Sequence, residues 1–123
     1  KIKLFLPGEE LNRTIYNTLI SSRATDEEKF VEVNANTLDS LLQQGGISHA
    51  EVNWIKIDVE GAELDVLKGA YNTLSNSKDI ALLIEVHGQD NYKPLIELLN
   101  SYNINVIFEE NHEWGDRHVI ARR

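Results

Sequence analysis

The sequence predicts one α/β domain in which a mostly parallel sheet packs against helices and ends in an antiparallel hairpin. Segments that alternate like strands and segments with helical spacing of apolar residues follow one another along the 123 residues. This alternation is typical of a parallel sheet with helices on its faces. Residues Ile80–Val86 are almost continuously apolar, which is typical of a parallel strand covered on both faces.

The first thirty-odd residues are weakly patterned. Lys1–Leu6 alternates polar and apolar residues and predicts a short strand, which Pro7–Gly8 ends. The apolar residues within Leu11–Ile20 have the spacing of one helix face. Ala24–Lys29 is polar and predicts an exposed loop, whereas Phe30–Asn34 alternates again and predicts a second strand.

The middle of the chain carries clearer boundary signals. Thr37 can cap a helix over Leu38–Gln44, which Gly45–Gly46 would end. Asn53–Val59 is the best strand candidate, and Gly61 permits a tight turn after it.

Two further helices are predicted around the apolar strand Ile80–Val86. An apolar stripe indicates a single helix over Ala62–Leu74. After the strand, the polar turn Gly88–Asn91 leads into a helix that would hold Pro94 in its first turn.

A hairpin completes the predicted fold. Strands at Ile104–Phe108 and Arg117–Ala121 flank the polar turn Asn111–Asp116, and strands joined so closely run antiparallel. The chain has no internal repeat and no proline-rich linker, so we expect one domain over residues 1–123.

Composition limits the classes of function. The formal net charge of -8 would repel a phosphate backbone, so we expect no nucleic-acid partner. No apolar run reaches the roughly 20 residues of a membrane span, and no signal peptide is evident, so we expect no membrane partner and a cytoplasmic protein. The absence of cysteine excludes disulfides, a thiolate nucleophile and cysteine-ligated zinc.

Ionisable residues follow the two best strands where open α/β sheets bind their ligands, beyond the carboxyl ends. Asp58 and Glu60 end one strand, and Glu85 and His87 end the next. Together they could act as a general base, bind a hydroxyl or amine, or hold a hard cation. Structural roles are the alternative to these functional ones. The helix dipole favours a carboxylate such as Glu60 at a helix N-terminus, and Asp58 can form a hydrogen bond within the turn. Glu85 is harder to explain structurally, since an unpaired buried carboxylate is unfavourable.

Other polar features are weaker candidates. His112, Trp114 and His118 lie near the terminal hairpin, where a structural role is the commoner one, and His49 stands alone in a loop. No glycine-rich phosphate loop or nucleophile-elbow motif occurs.

Three stretches resemble the FkbM-type methyltransferase family in order and spacing. They are Val33–Leu42 (VNANTLDSLL), Trp54–Ala70 (WIKIDVEGAELDVLKGA) and Leu83–His87 (LIEVH). The resemblance implies a Rossmann-like methyltransferase fold. It also implies transfer of a methyl group from S-adenosylmethionine to hydroxyl groups of small molecules or sugars.

The resemblance also implies a role for each candidate residue. Asp39 would lie near the adenine end of the cofactor, and Asp58 and Glu60 near the transferred methyl group. Glu85 and His87 would lie on the substrate side, where a carboxylate or His87 would deprotonate the acceptor hydroxyl.

Two parts of the family's cofactor site are not found in this sequence: the glycine-rich strand–turn–helix and the acidic residue on the next strand. The chain begins at Lys1 and contains no methionine. We therefore expect the C-terminal part of the domain, with the N-terminal cofactor-binding strands missing. Two of these would lie between the strands Phe30–Asn34 and Trp54–Asp58.

Missing neighbours would leave one edge of the Trp54–Asp58 strand unpaired, and unpaired edges invite pairing. Phe30–Asn34 could pair with it in parallel through the Leu38–Gln44 crossover. Alternatively, two copies could associate as a homodimer through the exposed edge. We expect self-association.

Three functions remain in competition at this point. The first is an FkbM-like methyltransferase, and the second is a non-catalytic, oligomerising remnant of the same fold. The third is a metal-dependent site built from Asp58, Glu85 and His87, since carboxylates with an imidazole suit magnesium, manganese or zinc.

Overall fold

The computed structural model describes residues 1–5, 30–113 and 115–123. The predicted turn Pro7–Gly8, helix Leu11–Ile20 and loop Ala24–Lys29 lie outside these residues, as does Trp114. Within the described ranges, no helix is long and apolar enough to cross a membrane.

Within the described residues, six strands form two separate sheets. They are β1 (Ile2–Phe5), β2 (Phe30–Val33), β3 (Trp54–Ile57), β4 (Ala81–Val86), β5 (Asn105–Asn111) and β6 (Arg117–Arg122). Strands β1 and β2 make a two-stranded ribbon, and the other four form a sheet in the order β3-β4-β6-β5. The mixed sheet and its terminal hairpin confirm the α/β class and the antiparallel C-terminal edge.

The prediction of a mostly parallel sheet agrees with the strand directions but not with the strand pairing. In the four-stranded sheet β3, β4 and β5 point the same way and β6 runs against them, so β3–β4 is the one parallel pair of the described residues, whereas β4–β6, β6–β5 and β1–β2 are antiparallel. The reason is the short turn after β5, because a chain that reverses so tightly must return antiparallel. The returning strand β6 then lies between β4 and β5.

The alternative in which the Phe30 strand pairs in parallel with the Trp54 strand is not what the structure shows. This strand pairs antiparallel with β1, with Phe5 opposite Phe30 and Ile2 opposite Val33. The Phe5 and Phe30 rings meet edge to face at 6.1 Å. As a result, β4 is the only strand of the described ranges that pairs with β3.

The part of the chain that the structure describes holds four helices: α1 (Leu38–Gln44), α2 (Glu63–Lys68), α3 (Tyr71–Asn76) and α4 (Gln89–Ser101), with a short 3-10 turn at His49–Glu51. Helix α1 matches its prediction, and the Thr37 hydroxyl accepts a hydrogen bond from the Ser40 amide at 3.2 Å. Helix α4 begins at Gln89 directly after Gly88, whose positive φ of 82° breaks the strand. Pro94 therefore lies in the second turn of α4, not in the first.

The predicted helix Ala62–Leu74 is divided into α2 and α3 at Gly69 and Ala70. Helix α1 causes the division, because its Asp39 amide donates to the Gly69 carbonyl at 3.1 Å. A side chain at Gly69 would place its Cβ only 3.1 Å from the Thr37 Cβ, so glycine permits this close approach.

The hydrophobic core lies between one face of the four-stranded sheet and helices α2, α3 and α4. Leu82, Ile84 and Val86 alternate along β4 toward these helices and are buried. Leu83 and Glu85 point to the opposite face and are only partly buried, so the expectation of a strand covered on both faces is wrong for the described part of the chain. The two helical connections, from β3 to β4 and from β4 to β5, lie on the same side of the sheet, as right-handed connections that run in one direction across a sheet require.

Asp39 joins α1 to α3 in place of a local helix cap. Its carboxylate accepts hydrogen bonds from the Asn72 amide at 2.7 Å, the Thr73 amide at 3.1 Å and the Thr73 hydroxyl at 2.8 Å. Ala70, at the N-cap of α3, offers no side-chain bond. Asp39 therefore supplies the cap from a different helix.

We predict that Asp39→Ala lowers the free energy of unfolding by about 1 kcal/mol, the usual effect of losing a helix cap. Asp39→Asn should retain part of that stability, because its amide oxygen still accepts. Urea denaturation measures both, with Gln43→Ala on the exposed side of α1 as the control. Equal stability of Asp39→Ala and Gln43→Ala would contradict the capping role.

Candidate functional site

The site forms where two tight turns follow the parallel strands β3 and β4. After β3, Glu60 and Gly61 both have positive φ, at 53° and 105°. After β4, Gly88 has a φ of 82° and begins α4. The carboxyl ends of adjacent parallel strands meet at one edge of a sheet, so the side chains of both turns come together there. We call Asp58, Glu60, Glu63, Glu85 and His87 the strand-end site.

A buried carboxylate–imidazole pair lies at the centre of this site. Glu63 is fully buried and His87 is 4 % exposed. The Oε1 atom of Glu63 lies 2.7 Å from Nδ1 of His87 and accepts a second hydrogen bond from the Gly61 amide at 2.8 Å. Because a carboxylate only accepts, the Nδ1 atom of His87 carries the proton. In the neutral ring, the Nε2 atom therefore keeps its lone pair.

Two further carboxylates lie near that lone pair. The Nε2 atom of His87 is 3.5 Å from Oε1 of Glu60 and 3.7 Å from Oε1 of Glu85. Glu60 adopts the left-handed conformation, which is unfavourable for a non-glycine residue by about 1 kcal/mol or more. Such backbone conformations concentrate at functional sites, and here the conformation brings the Glu60 carboxylate to the imidazole.

The carboxylates change the protonation of His87. Burial acts to lower the pKa of His87, but the hydrogen bond to Glu63 and the charges of Glu60, Glu63 and Asp116 outweigh it, so the pKa is raised. His87 is therefore suited to accept a proton and to hold it.

Asp58 lies at the outer side of the site. Its carboxylate pairs with Lys56 at 3.1 Å. Asp58, Glu60 and His87 each offer one possible ligand atom, and these atoms lie within 4.8 Å of one another. The structure therefore brings Asp58, Glu60 and His87 into one group that could hold a cation, with Glu85 beside it.

Asp39 is not part of this group. Both of its carboxylate oxygens accept hydrogen bonds at the start of α3. Burial acts to raise the pKa of Asp39, but the hydrogen bonds from Asn72 and Thr73 and the charge of His49 outweigh it and lower the pKa. A contact between Asp39 and a cofactor remains a prediction from the resemblance.

Sequence reasoning missed two residues that hold the site together. Glu63 lies in the first turn of α2, where the helix dipole alone favours a carboxylate, so the sequence pattern gives no sign of its burial beneath His87. Asn91, assigned to a polar turn, donates from Nδ2 to the carbonyls of Gly61 at 3.2 Å and His87 at 2.9 Å. It therefore links the two turns. The one sequence signal for the role of Asn91 was that a polar residue stands four positions after His87.

A cleft of about 700 Å³ opens beside the turn that follows β3. Gly61, Ala62 and Val66 line one side of it, and Ile2 and Phe5 of the β1–β2 ribbon line the other. This volume is within the range of small-molecule sites. The cleft provides space for a ligand next to the strand-end site.

One comparison with known families gives a match to this chain. A family model described as the methyltransferase FkbM domain matches residues 3–117. Its range includes both turns and every residue of the strand-end site. No curated protein and no solved structure gives a significant match.

We predict a pH-dependent stability from His87. Because its folded pKa lies above the unfolded value of about 6.5, the stabilisation by protonated His87 is complete below that pH. It is lost as the pH rises through the folded pKa. Glu63→Gln removes one of the charges that face His87, the others being Glu60, Glu85, Asp58 and Asp116.

Urea denaturation at pH values below and above the folded pKa of His87 should show a smaller pH-dependent change in the free energy of unfolding in Glu63→Gln than in the native chain. Imidazole titration by NMR should give a lower pKa for His87 in the variant. Identical pH profiles and an unchanged pKa would contradict the proposed coupling of Glu63 to His87.

Proposed function

We propose that this chain, which belongs to the FkbM methyltransferase domain family, carries the acceptor-activating residues of an S-adenosylmethionine-dependent O-methyltransferase. Family membership makes methyl transfer the reaction class. The cofactor and the acceptor class, a hydroxyl of a small molecule or sugar, are the parts that we propose. We also propose a Rossmann-like arrangement, since β3, the α2–α3 crossover and β4 form a parallel βαβ unit.

The observation that carries the proposal is the His87–Glu63 pair. A buried carboxylate is unfavourable whether the imidazole beside it is neutral or protonated, so a structural role alone accounts for this pair poorly. A carboxylate that holds one ring nitrogen and leaves the other toward a site is, by contrast, a common arrangement for a general base.

The acceptor hydroxyl would donate its hydrogen bond to the Nε2 atom of His87. As the oxygen bonds to the methyl carbon and the carbon–sulfur bond breaks, leaving a neutral thioether, the hydroxyl proton would pass to Nε2. Glu63 stabilises the resulting imidazolium through Nδ1 and prevents rotation of the ring. A positioned base of this kind typically contributes about 10²- to 10⁴-fold to the rate.

The charge of the site fits the reactive end of the cofactor. Asp58 and Glu60 place negative charge beside His87, and a sulfonium is positively charged, so these carboxylates would hold that end by electrostatic attraction. When bound, S-adenosylmethionine supplies the electrophilic methyl group. The engaged carboxylate of Asp39 offers no comparable support for the adenine end.

We predict that His87→Gln lowers methyl transfer by about 10²- to 10⁴-fold with little change in cofactor affinity. Transfer of labelled methyl from S-adenosylmethionine to monosaccharides and other hydroxylated small molecules gives the rate, and calorimetry gives the affinity. His49→Gln, which removes a histidine outside the strand-end site, is the control.

Glu60→Gly separates catalysis from folding. It relieves the left-handed backbone, so stability should not fall, while activity should decrease because the carboxylate is lost. The cofactor proposal fails if the native chain binds no S-adenosylmethionine. The role of His87 as the base fails if His87→Gln transfers methyl groups as fast as His49→Gln.

We further propose that a second copy of this chain pairs with the exposed edge of β3. Such pairing is also what the second candidate function, a non-catalytic and oligomerising remnant of the fold, requires. Both β3 and β5 are edge strands of the four-stranded sheet. Strand β5 carries a bulge between Val106 and Phe108 and two consecutive glutamates, features that discourage edge pairing. Strand β3 is regular, and its Trp54 is 68 % exposed.

We predict that the native chain sediments as a dimer at micromolar concentration and that Trp54→Lys shifts it toward monomer. Phe108→Lys is the matched control, since it places the same charge at an exposed aromatic residue of the other edge. A monomeric native chain overturns the proposal, as does a dimer that only Phe108→Lys disrupts.

A further inference from the structure

A second group of ionisable side chains lies on the β5–β6 hairpin, separate from the proposed reaction at His87. It consists of Glu110, His112 and His118, which we call the hairpin cluster. One possible ligand atom from each residue lies within 4.8 Å of the others. Glu110 is exposed, and the two histidines are partly buried.

The two imidazoles lie close enough to serve as a pair of ligands. The Nε2 atom of His112 lies 2.9 Å from the Nδ1 atom of His118, and the ring planes meet at 84°. Metal–nitrogen distances are about 2.0–2.1 Å, so two nitrogens around one tetrahedral ion lie about 3.3 Å apart. The observed separation is shorter by a few tenths of an ångström, so small rotations of the two rings would let both nitrogens bind one cation.

The sheet register supplies the carboxylates. His118 lies directly opposite Glu85 of β4 and directly opposite Glu110 of β5. Residues paired across strands share a face, so the three side chains form a row on the face opposite α2 and α4. Glu110 completes a set of two imidazoles and one carboxylate with a torsional adjustment that its exposure allows.

Glu85 has a supporting position in this row. Its Oε2 atom lies 3.4 Å from the Nε2 atom of His118, on the far side of the ring from the nitrogen that faces His112. Histidines that bind metals usually donate their other ring N–H to a carboxylate, which fixes the ring and strengthens the ligand. Glu85 lies close enough to take this role for His118 after a small side-chain movement.

We propose that the hairpin cluster binds a divalent transition-metal ion through His112, His118 and Glu110, with Glu85 orienting His118. Two imidazoles with a carboxylate favour zinc and similar ions over magnesium or calcium. The net charge of -8 further favours cation binding. A groove of about 310 Å³, lined in part by Glu85, Glu110 and His118, gives an ion access to the site.

The metal-free alternative is a hydrogen bond in which one imidazole donates its N–H to the other. Binding of an ion would displace that proton and hold His112 to β6. This difference makes the proposal measurable without any enzymatic assay.

The test is calorimetric titration of chelator-treated native chain with Zn²⁺. We expect one Zn²⁺ ion to bind at the hairpin cluster of each chain. Binding should be at least about 100-fold weaker in His112→Gln and in His118→Gln. Glu85→Gln should weaken binding by about 10- to 100-fold, as for other groups that orient a ligand. Glu113→Gln, an exposed carboxylate of the same turn, is the matched control and should leave binding unchanged.

Two measurements keep the test independent of folding defects. Zinc should raise Tm of the native chain and of Glu113→Gln, but not that of His118→Gln. It should also shift the NMR signals of His112 and His118. Equal affinity in the native chain and both histidine variants overturns the proposal. It is also overturned if His87→Gln abolishes binding while the hairpin variants do not, because the ion would then belong to the strand-end site.

Discussion

The hydrogen bond between Glu63 and His87 joins the two halves of the parallel βαβ unit. Glu63 opens α2 and His87 follows β4, so the 2.7 Å contact fixes the start of one helix against the end of the neighbouring strand. The same Glu63 oxygen accepts from the Gly61 amide. Asn91 then ties the carbonyls of both turns together. The positions of Glu60 and Asp58 follow from this arrangement, because the turn that carries them is held at both ends.

The helices are placed by a second polar contact with a different physical basis. Asp39 caps α3 from α1, and the Gly69 carbonyl accepts the Asp39 amide. These bonds satisfy backbone groups that the break between α2 and α3 would otherwise leave without partners. Asp39 is thus used for the packing of helices, at a position where family resemblance suggested a cofactor contact.

Glu85 connects the two groups of ionisable residues. One of its carboxylate oxygens lies 3.7 Å from His87 and the other lies 3.4 Å from His118. This position depends on the insertion of β6 beside β4, which sets His118 opposite Glu85. A cation in the hairpin cluster would attract the Glu85 carboxylate toward His118. The strand-end site and the hairpin cluster are therefore electrostatic neighbours, although their proposed roles are separate.

The sequence alone determined the features that depend on local chemistry. Thr37 marked the start of α1, the run Ile80–Val86 marked β4, and the polar turn Asn111–Asp116 marked the hairpin, since capping, apolar spacing and turn length are local properties. The motif around Asp58 and Glu60, with Glu85 and His87 after the next strand, was sufficient to predict that these residues lie together and to indicate the family.

Tertiary structure alone decided the rest. The sheet order, the pairing of β2 with β1, the division at Gly69 and the burial of Glu63 all depend on partners far away in the chain. Periodicity reports which face of an element is apolar, but it carries no information about which element covers that face. For the same reason, the pairing of His112 with His118 and the row formed with Glu85 and Glu110 could be found only after β6 was placed between β4 and β5.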